Sequence, residues 1–321
     1  MKKRKYYFWT GVIVSAVFLY ISFSNFDFKT IVEVLRRVKS FPLISGILIF
    51  VVSYLLRAPR WQMMFRGRNS LSFKTAMAGV FIGQFGNNVL PWRLGDLWRA
   101  VIAKKMDGVS VIAAGTSLLM EKIYDGLSVF LLSIAALLSF SLKKDVRNSI
   151  ITFGMGVVGV LALLWIFYFF VEAKTRGSEG DSVVKKVVEG LSSFKRPGLF
   201  LKILFFSVVI WTVEAFSFML FFNSMGIDLK LLEIFIIVFI LNFAMIIPAA
   251  PANVGTFEYA IVISASIFSI KKSMALSAGL VIHFLRFASI SLLGLILLYV
   301  FKMSFKEEVQ EVEKEAEKVE I

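Results

Sequence analysis

The chain has 321 residues, of which 58% are hydrophobic, and its mean hydropathy is +0.80. Soluble proteins have an apolar share of about 45–50%, so this composition predicts a helical membrane protein with several spans. The absence of cysteine excludes disulfides and thiolate metal sites, and the single histidine, His283, argues against zinc. The net charge of +14 indicates basic loops and contact with anionic lipid rather than nucleic acid.

The predicted elements of the first half begin with a basic N-terminus and an apolar run from Tyr6 to about Ser24. They predict an uncleaved first span whose N-terminus lies in the cytoplasm. Residues 25–40 have apolar residues at helical spacing, which predicts a short helix on the membrane surface. A second span follows at about 41–56, and Arg57 and Arg60 begin its basic cytoplasmic flank.

The later spans repeat this order. The third predicted span covers residues 110–140, and the second half has a span at 150–172, an amphipathic connector at 173–198, and spans at 199–222 and 274–302. Lysine and arginine are roughly twice as frequent on the predicted cytoplasmic side as outside, which supports cytoplasmic N- and C-termini.

The sequence predicts one transmembrane domain, residues 1–305, with halves of about 1–145 and 146–305. A charged cytoplasmic tail, 306–321, follows and is expected to be a frayed helix or disordered.

One stretch at membrane depth, residues 83–100, cannot be an ordinary span, because Gly and Pro interrupt it and Asn, Arg and Asp crowd into it. Freed backbone groups in hydrocarbon cost several kcal/mol each, so such a segment persists only inside protein or beside a water-filled cavity. We expect a re-entrant helical hairpin that turns at Pro91 and Gly95.

A second stretch, residues 243–260, has proline and glycine at the same spacing. Pro251 and Gly255 are four residues apart, as Pro91 and Gly95 are, and a further proline, Pro248, precedes them. Paired broken segments in two halves of a membrane chain indicate a transporter's binding site. The alternative is two unrelated loops.

The predicted fold class is therefore an all-α polytopic membrane protein with two inverted repeats, each with three spans and one re-entrant hairpin. If the second hairpin, at about 231–270, is instead two full spans, the count is eight and both termini stay inside.

Charged residues within the predicted spans are costly and are functional hypotheses by default. Glu121 and Asp125 share one helical face, and either Lys122 pairs with a carboxylate internally or these acids pair with Arg93 or Arg99 of the first hairpin. Further membrane-depth charges lie in later spans: Glu214, His283 and Arg286. A shared polar cavity is the predicted result.

Arginine's planar guanidinium suits phosphate. Arg93, at the proposed turn, and Arg286, inside a span, are the stronger candidate ligands, whereas Arg99 could bind the substrate or only extend to the interface. Asn87 and Asn88 could donate to phosphate or sugar oxygens, or could satisfy freed backbone groups at the turn.

An acid follows each turn, Asp96 in the first hairpin and Glu258 in the second. With Glu121 and Asp125, they are expected to compensate charge or carry a coupled proton. For Glu258 the alternative is a cap on the free amides near Gly255.

These residues carry a resemblance to a known family. The motifs are Asn88-x-x-Pro91-x-Arg93-x-Gly95-Asp96-x-x-Arg99, then Glu121-Lys122-x-x-Asp125, then Pro248-x-x-Pro251-x-x-x-Gly255-x-x-Glu258. In this order they resemble the lysylphosphatidylglycerol synthase transmembrane-region family, also called flippase-like domain proteins. The chain departs from the family pattern at Asp96 in place of Glu, at Lys122 in place of Arg, and at Ala252-Asn253 in place of Gly-Gly.

The resemblance implies a multi-pass protein of the cell membrane that moves lipids between leaflets or serves lipid-linked sugar or aminoacyl-lipid pathways. The expected partner is a phospholipid or polyprenyl-phosphate lipid; no cofactor is expected, and the oligomeric state stays open. The soluble aminoacyl-transfer domain of the synthases is absent from this sequence, so the chain alone is not expected to make lysyl-lipid. The alternatives to a translocase are a membrane transferase or subunit, and a small-solute transporter.

Overall fold

The computed structural model describes residues 2–24, 26–65, 70–139, 144–175, 196–247 and 250–319. These residues form α-helices, two short 3₁₀ turns and connecting loops, and no strand occurs among them. The predicted all-α fold class is confirmed. The helices are α1 (Lys2–Phe23), α2 (Phe28–Arg36), α3 (Ser40–Met63), α4 (Phe73–Val89), α5 (Leu94–Asp107), α6 (Val111–Ser139), α7 (Lys144–Thr175), α8 (Pro197–Ser224), α9 (Leu231–Ala244), α10 (Thr256–Ser266), α11 (Lys272–Val300) and α12 (Phe305–Val319).

Four of these helices are long and apolar enough to cross a membrane: α3, α6, α8 and α11. They contain the predicted spans at 41–56 and 199–222 and match those at 110–140 and 274–302 to within two residues at each end. α7 covers the predicted span at 150–172 as one continuous helix, and the apolar part of α1, Val12–Phe23, is shorter than the other spans. The membrane class of the protein is confirmed.

Two helical hairpins lie between the long helices. In the first, α4 and α5 pack against each other on either side of a 3₁₀ turn at Pro91–Arg93. In the second, α9 and α10 flank a 3₁₀ turn at Pro251–Asn253. The four legs have 17, 14, 14 and 11 residues. A membrane span needs about 20 residues, so these lengths favour two hairpins over two pairs of full spans.

The two turns contact each other, and α11 packs against both α4 and α10. In each turn the third residue of the Pro-x-x-x-Gly frame has a left-handed backbone, with φ of 54° at Arg93 and 59° at Asn253. The two turns therefore share a left-handed residue at the same position of the Pro-x-x-x-Gly sequence. The inverted orientation of the two halves in the membrane stays a prediction.

Glycine lets the first hairpin close tightly. A Cβ on Gly95 would lie 1.9 Å from the Gly83 carbonyl oxygen and 2.4 Å from the Asn87 amide nitrogen, so any side chain there would separate α4 from α5. Interiors pack without spare volume, and this contact brings the start of α5 against α4.

The terminal helices support one hairpin each. α1 packs against α10, where the Ser15 hydroxyl accepts a hydrogen bond from the Ala250 amide at 2.8 Å. α12 packs against α5, where buried Glu308 accepts hydrogen bonds from Lys105 and from the Trp98 indole. The hydrogen bond that Lys105 donates to the Glu308 carboxylate raises the pKa of Lys105.

The C-terminal tail, expected to be a frayed helix or disordered, forms α12, which packs against α5. Val312 and Glu308 are both fully buried against the rest of the chain. Composition alone did not show that one face of this acidic helix meets the basic end of α5.

Arg57 and Arg60 do not form a cytoplasmic flank, because α3 continues to Met63 and turns both side chains into the interior. Most of the predicted connector, 176–195, and Pro248 lie outside the described residues.

Candidate functional site

The hairpins and long helices enclose a cavity of about 1060 Å³. Its lining includes both turns and parts of α3, α4 and α6 to α11. Apolar and aromatic side chains such as Phe50, Trp211 and Phe257 form much of the wall, and a few polar groups converge among them. This combination is typical of ligand-binding sites.

Seven charged side chains form a continuous series next to this cavity, which we call the charge chain. Arginine and carboxylate alternate along it, and each neighbouring pair is within salt-bridge distance. In order, the members are Arg99, Glu121, Arg60, Asp125, Arg57, Glu214 and Arg286. The series joins the return leg of the first hairpin to α11 by way of α6, α3 and α8.

The charge chain starts with a bidentate pair. Arg99 Nη1 and Nη2 donate to the two carboxylate oxygens of Glu121 at 3.1 and 2.9 Å, and the guanidinium lies 4.0 Å from the Trp61 ring centroid. A bidentate contact of this kind fixes the orientation of the two side chains in addition to pairing their charges. Arg99 thus holds α5 against α6, and the cavity lining does not include it.

The middle of the charge chain is fully enclosed. Arg60 is 0% exposed and pairs with Glu121 at 3.0 Å and with Asp125. Asp125 also accepts a hydrogen bond from the Trp211 indole at 2.9 Å. A buried ion pair needs such additional hydrogen bonds, because its desolvation penalty is of the same order as the attraction.

The last three members of the charge chain, Arg57, Glu214 and Arg286, meet at the carboxylate of Glu214 beside the cavity. Its two oxygens accept hydrogen bonds from Arg57 and Arg286, each at 2.6 Å. Arg286 lies between the rings of Phe50 and Phe218, 4.0 and 4.5 Å from their centroids. Its Nη1 is buried and has no hydrogen-bond partner among the described residues.

The charge chain has four arginines and three carboxylates, so it carries one more positive than negative charge. An uncompensated buried charge is expensive unless a counter-ion or water relieves it. The described lining of the cavity has four cations, Arg57, Arg93, Lys122 and Arg286, and two carboxylates, Asp125 and Glu214, so its wall carries a net positive charge. The arrangement favours an anion in the cavity.

The first turn adds polar groups. Asn87 donates to Asp96 at 3.0 Å, and Asp96 pairs with Lys122 at 3.5 Å. Asn88 donates to Ser291 of α11 at 2.9 Å. Arg93 is exposed and lines the cavity, as Asn87 and Asn88 do.

The second turn is held from α11. Glu258 accepts a hydrogen bond from the Gly255 amide at 2.7 Å, which caps α10. Its other oxygen lies 2.6 Å from His283 Nδ1, and His283 Nε2 lies 2.9 Å from the Ala252 carbonyl oxygen. Glu258 thus caps α10, which was the alternative interpretation of this residue. It also contacts a second titratable side chain, His283.

The structure brings some of the predicted residues together at the cavity and leaves others beside it. Those that line the cavity are Asn87, Asn88, Pro91, Arg93, Asp125, Pro251 and Arg286. Those outside the lining are Gly95, Asp96, Arg99, Glu121, Gly255 and Glu258. Glu121 pairs with the predicted Arg99 and also with Arg60, whereas Asp125 pairs with Arg60 and Arg57. Lys122 pairs with Asp96 rather than with either acid of its own helix.

Sequence reasoning missed the cavity role of Arg57 and the central position of Arg60. Both come directly after an apolar run, where basic residues usually mark the membrane boundary. The available signal was helical spacing, since Phe50, Tyr54 and Arg57 lie on one face of α3 and all line the cavity.

Fold and site together define a helical integral membrane protein with two broken hairpins around a charged interior. The chain belongs to the family described as "Lysylphosphatidylglycerol synthase TM region", whose profile matches residues 8–294. The resemblance in the sequence motifs is thereby confirmed.

The chain is similar to UPF0104 membrane proteins of two archaea. The protein of Methanocaldococcus jannaschii is 25% identical over 230 residues, 70% of this chain and 97% of that protein. The protein of Pyrococcus horikoshii is 23% identical over 290 residues, 79% of this chain and 85% of that protein.

It is also similar to a protein of Haloferax volcanii named glycosyltransferase AglD, at 25% identity over 319 residues. That alignment covers 85% of this chain but 51% of the relative. No solved structure matches the chain.

Proposed function

We propose that this protein is a lipid translocase of the cell membrane that moves a phosphate-bearing lipid or lipid-linked sugar between leaflets. One observation carries the proposal: the described wall of a cavity otherwise rich in apolar side chains holds four cationic side chains, Arg57, Arg93, Lys122 and Arg286, and only two carboxylates, Asp125 and Glu214. A lipid phosphate would supply the missing anion, and the unpartnered Nη1 of Arg286 would donate to it.

The size and lining of the cavity support a headgroup ligand. Its volume of about 1060 Å³ is at the upper end of ordinary ligand sites. The amides of Asn87 and Asn88 and the Arg93 guanidinium would contact phosphate or sugar oxygens, while the acyl or prenyl tail stays in lipid. Glu121 and Asp125 would compensate arginine charge inside the charge chain.

Movement between leaflets would follow from the two hairpins. Their turns contact each other and line the same cavity. Rocking of one half against the other would open the cavity to one leaflet and then to the other, as alternating access requires. The protein would act without covalent chemistry on the lipid.

The direct test is Arg286→Gln. Hydrogen bonds to charged groups contribute about 1.5–3 kcal/mol, so binding of phosphatidylglycerol should weaken by roughly ten- to a hundredfold, and leaflet transfer in liposomes should fall with it. Arg36→Gln, at an exposed arginine on α2, is the matched control and should bind as the native protein does. Native mass spectrometry measures binding. Unchanged binding by Arg286→Gln would exclude this site.

A second candidate follows from the relative named as a glycosyltransferase. In that case the protein would be a membrane component of a reaction on lipid-linked sugars. Reconstitution separates the candidates: transfer of labelled lipid between leaflets with no change in its mass supports a translocase, and a new covalent product supports the transferase.

The proposed orientation has both termini in the cytoplasm. It can be tested with single cysteines, since the native chain has none. Cysteines at Lys3, Lys185 and Lys314 should react only with reagent added from the inside. Labelling of Lys185→Cys from outside alone would contradict the inverted-repeat arrangement.

A further inference from the structure

The Glu258–His283 pair has a geometry that fixes its proton content. The Ala252 carbonyl oxygen, 2.9 Å from His283 Nε2, can only accept a hydrogen bond, so Nε2 carries a proton and donates. Nδ1 and the Glu258 carboxyl oxygen lie 2.6 Å apart, and a contact this short between two acceptors requires a proton between them.

That shared proton makes the pair electrically neutral. It sits either on Nδ1, giving an imidazolium beside a carboxylate, or on Glu258, giving a neutral imidazole beside a carboxylic acid. Its loss to cavity water would break one N–H or O–H bond and leave a lone pair on Nδ1 facing a carboxylate. The pair would then carry one negative charge, and the 2.6 Å contact would become repulsive.

The proton also determines how the second turn is held. His283 belongs to α11, and its two ring nitrogens contact the turn at Ala252 and the first turn of α10 at Glu258. The Phe257 ring stacks on the imidazole with centroids 4.4 Å apart. Without the proton, the ring or the carboxylate must turn away, and the contact between α11 and the first turn of α10 at Glu258 is lost.

The charged groups around the pair connect it to the cavity. Arg286 lies one helical turn further along α11, Glu214 lies on α8, Arg57 on α3 and Arg93 in the first turn, and these residues line the same cavity as His283. α1, which packs on α10, contributes Ser15 and Phe18 beside the second hairpin, and neither is titratable. No described cation is within salt-bridge distance of Glu258 other than His283.

We propose that the Glu258–His283 pair is a proton-binding site whose occupancy is coupled to that of the anion site at Arg286. A deprotonated pair would place a negative charge next to Arg286 and compete with a lipid phosphate, whereas the neutral pair would not. Phosphate binding therefore favours the protonated pair, and by linkage protonation favours phosphate binding to the same degree. The coupling rests on the proposed function, but the existence of the proton site does not.

The chain offers a single-site measurement, because His283 is its one histidine. Protein labelled with ¹⁵N-histidine and purified without a histidine tag gives one imidazole in the nitrogen spectrum. We expect Nε2 to be protonated throughout, and a second proton on or next to Nδ1 that is released in one step, with one midpoint, across the pH range in which the protein stays folded. Phosphatidylglycerol should raise that midpoint by about one pH unit, a tenfold gain in proton affinity, and diacylglycerol, which has no phosphate, should not.

A test variant, Glu258→Gln, and a matched control, Glu233→Gln, isolate the effect of the shared proton. Glu233 caps the Lys230 amide at 2.7 Å as Glu258 caps Gly255, but without a histidine partner. Glu258→Gln keeps an acceptor for the cap and removes the exchangeable proton, so the second proton signal should vanish and lipid transfer should fall more than tenfold at near-native thermal stability. Glu233→Gln should behave as the native protein.

The outcomes separate this inference from the proposed function. An imidazole with no second proton at any pH in the range, in protein that still binds phosphatidylglycerol, would overturn the proton site alone. A second proton whose midpoint ignores bound lipid would overturn the coupling. Failure of phosphatidylglycerol to bind at all would overturn the proposed function and the coupling, and would leave only the proton site.

Discussion

The two hairpins have the same Pro-x-x-x-Gly turn, but they are held by different forces. The return leg of the first, α5, is fixed by ion pairs: Arg99 with Glu121 at 2.9 Å and Asp96 with Lys122 at 3.5 Å. The return leg of the second, α10, makes no arginine or lysine ion pair among the described residues. It is held by hydrogen bonds instead, chiefly through His283.

The backbones of the two turns differ as well. The first turn has one left-handed residue, Arg93, whereas the second has Ala252 and Asn253 in succession, followed by Gly255 at φ +88°. Left-handed geometry costs roughly 1–2 kcal/mol at a residue with a side chain. The second hairpin thus combines weaker attachment with a strained turn. We expect it to be the part that moves, while the first hairpin stays fixed to the charge chain.

The largest effect is expected from breaking the charge chain at its centre. Arg60→Met removes a fully buried cation between Glu121 and Asp125 and takes one ion-pair partner from each of these buried carboxylates. We expect a loss of about 3–5 kcal/mol in stability, seen as a lower midpoint of thermal unfolding in detergent. Arg36→Met, at an exposed arginine, should shift it little. Equal midpoints for the two variants would show that the charge chain does not hold the first hairpin.

The second-largest effect on stability is expected when the glycine of either hairpin turn, Gly95 or Gly255, is replaced by alanine. A Cβ on Gly255 would lie 2.5 Å from the Ser15 carbonyl oxygen at a left-handed backbone, and a Cβ on Gly95 would meet Gly83. Overpacking costs about 1–3 kcal/mol, and Gly255→Ala adds the left-handed cost of about 1–2 kcal/mol.

The control is Gly226→Ala, which has φ +76° and open space around the added methyl group. It isolates the backbone cost from the packing cost. Hydrogen exchange should show Gly255→Ala loosening α1 and α10, and Gly95→Ala loosening α4 and α5. If Gly255→Ala costs no more than Gly226→Ala, the contact between α1 and the second turn does not stabilise the hairpin.

A smaller effect is expected at the equivalent left-handed positions, Arg93 and Asn253. Arg93→Asn keeps a residue that tolerates φ +54° while it removes the guanidinium from the cavity. Because Arg93 is exposed, phosphatidylglycerol binding should weaken by about three- to tenfold, or roughly 1 kcal/mol, at unchanged stability. If the guanidinium contacts the phosphate through two nitrogens, Arg93→Lys should bind phosphatidylglycerol little better than Arg93→Asn does. Unchanged lipid binding by Arg93→Asn would mean that Arg93 only extends to the interface.

The smallest effect is expected at Ala252. Glycine adopts φ +58° without strain, so Ala252→Gly relieves a left-handed cost of about 1–2 kcal/mol but adds about 0.4–1 kcal/mol of unfolded-chain entropy. We expect a net gain in stability between zero and about 1.6 kcal/mol, and faster exchange of the turn amides. A loss of stability would contradict the assignment of strain to this turn.

The sequence by itself determined the class of fold and the positions of the two hairpins. Long apolar runs require helices at membrane depth, because only internal hydrogen bonding satisfies their backbone. Pro91, Gly95, Pro251 and Gly255 interrupt this pattern so strongly that the turns could be located within a few residues. The acids Glu121, Asp125 and Glu214 were identifiable for a similar reason, since charge in an apolar run is costly.

Only the tertiary structure decided which charges meet. The partners in the charge chain are far apart in sequence, as Arg57 and Glu214 are, and hydropathy assigns Arg57 and Arg60 to the membrane boundary. Whether they extend to water or turn inward depends on the carboxylates of α6 and α8, which packing places against the same face of α3. The pairing of Glu258 with His283 has the same origin. Spacing along one helix fixes which residues share a face, but the partner of that face is set by how the helices pack together.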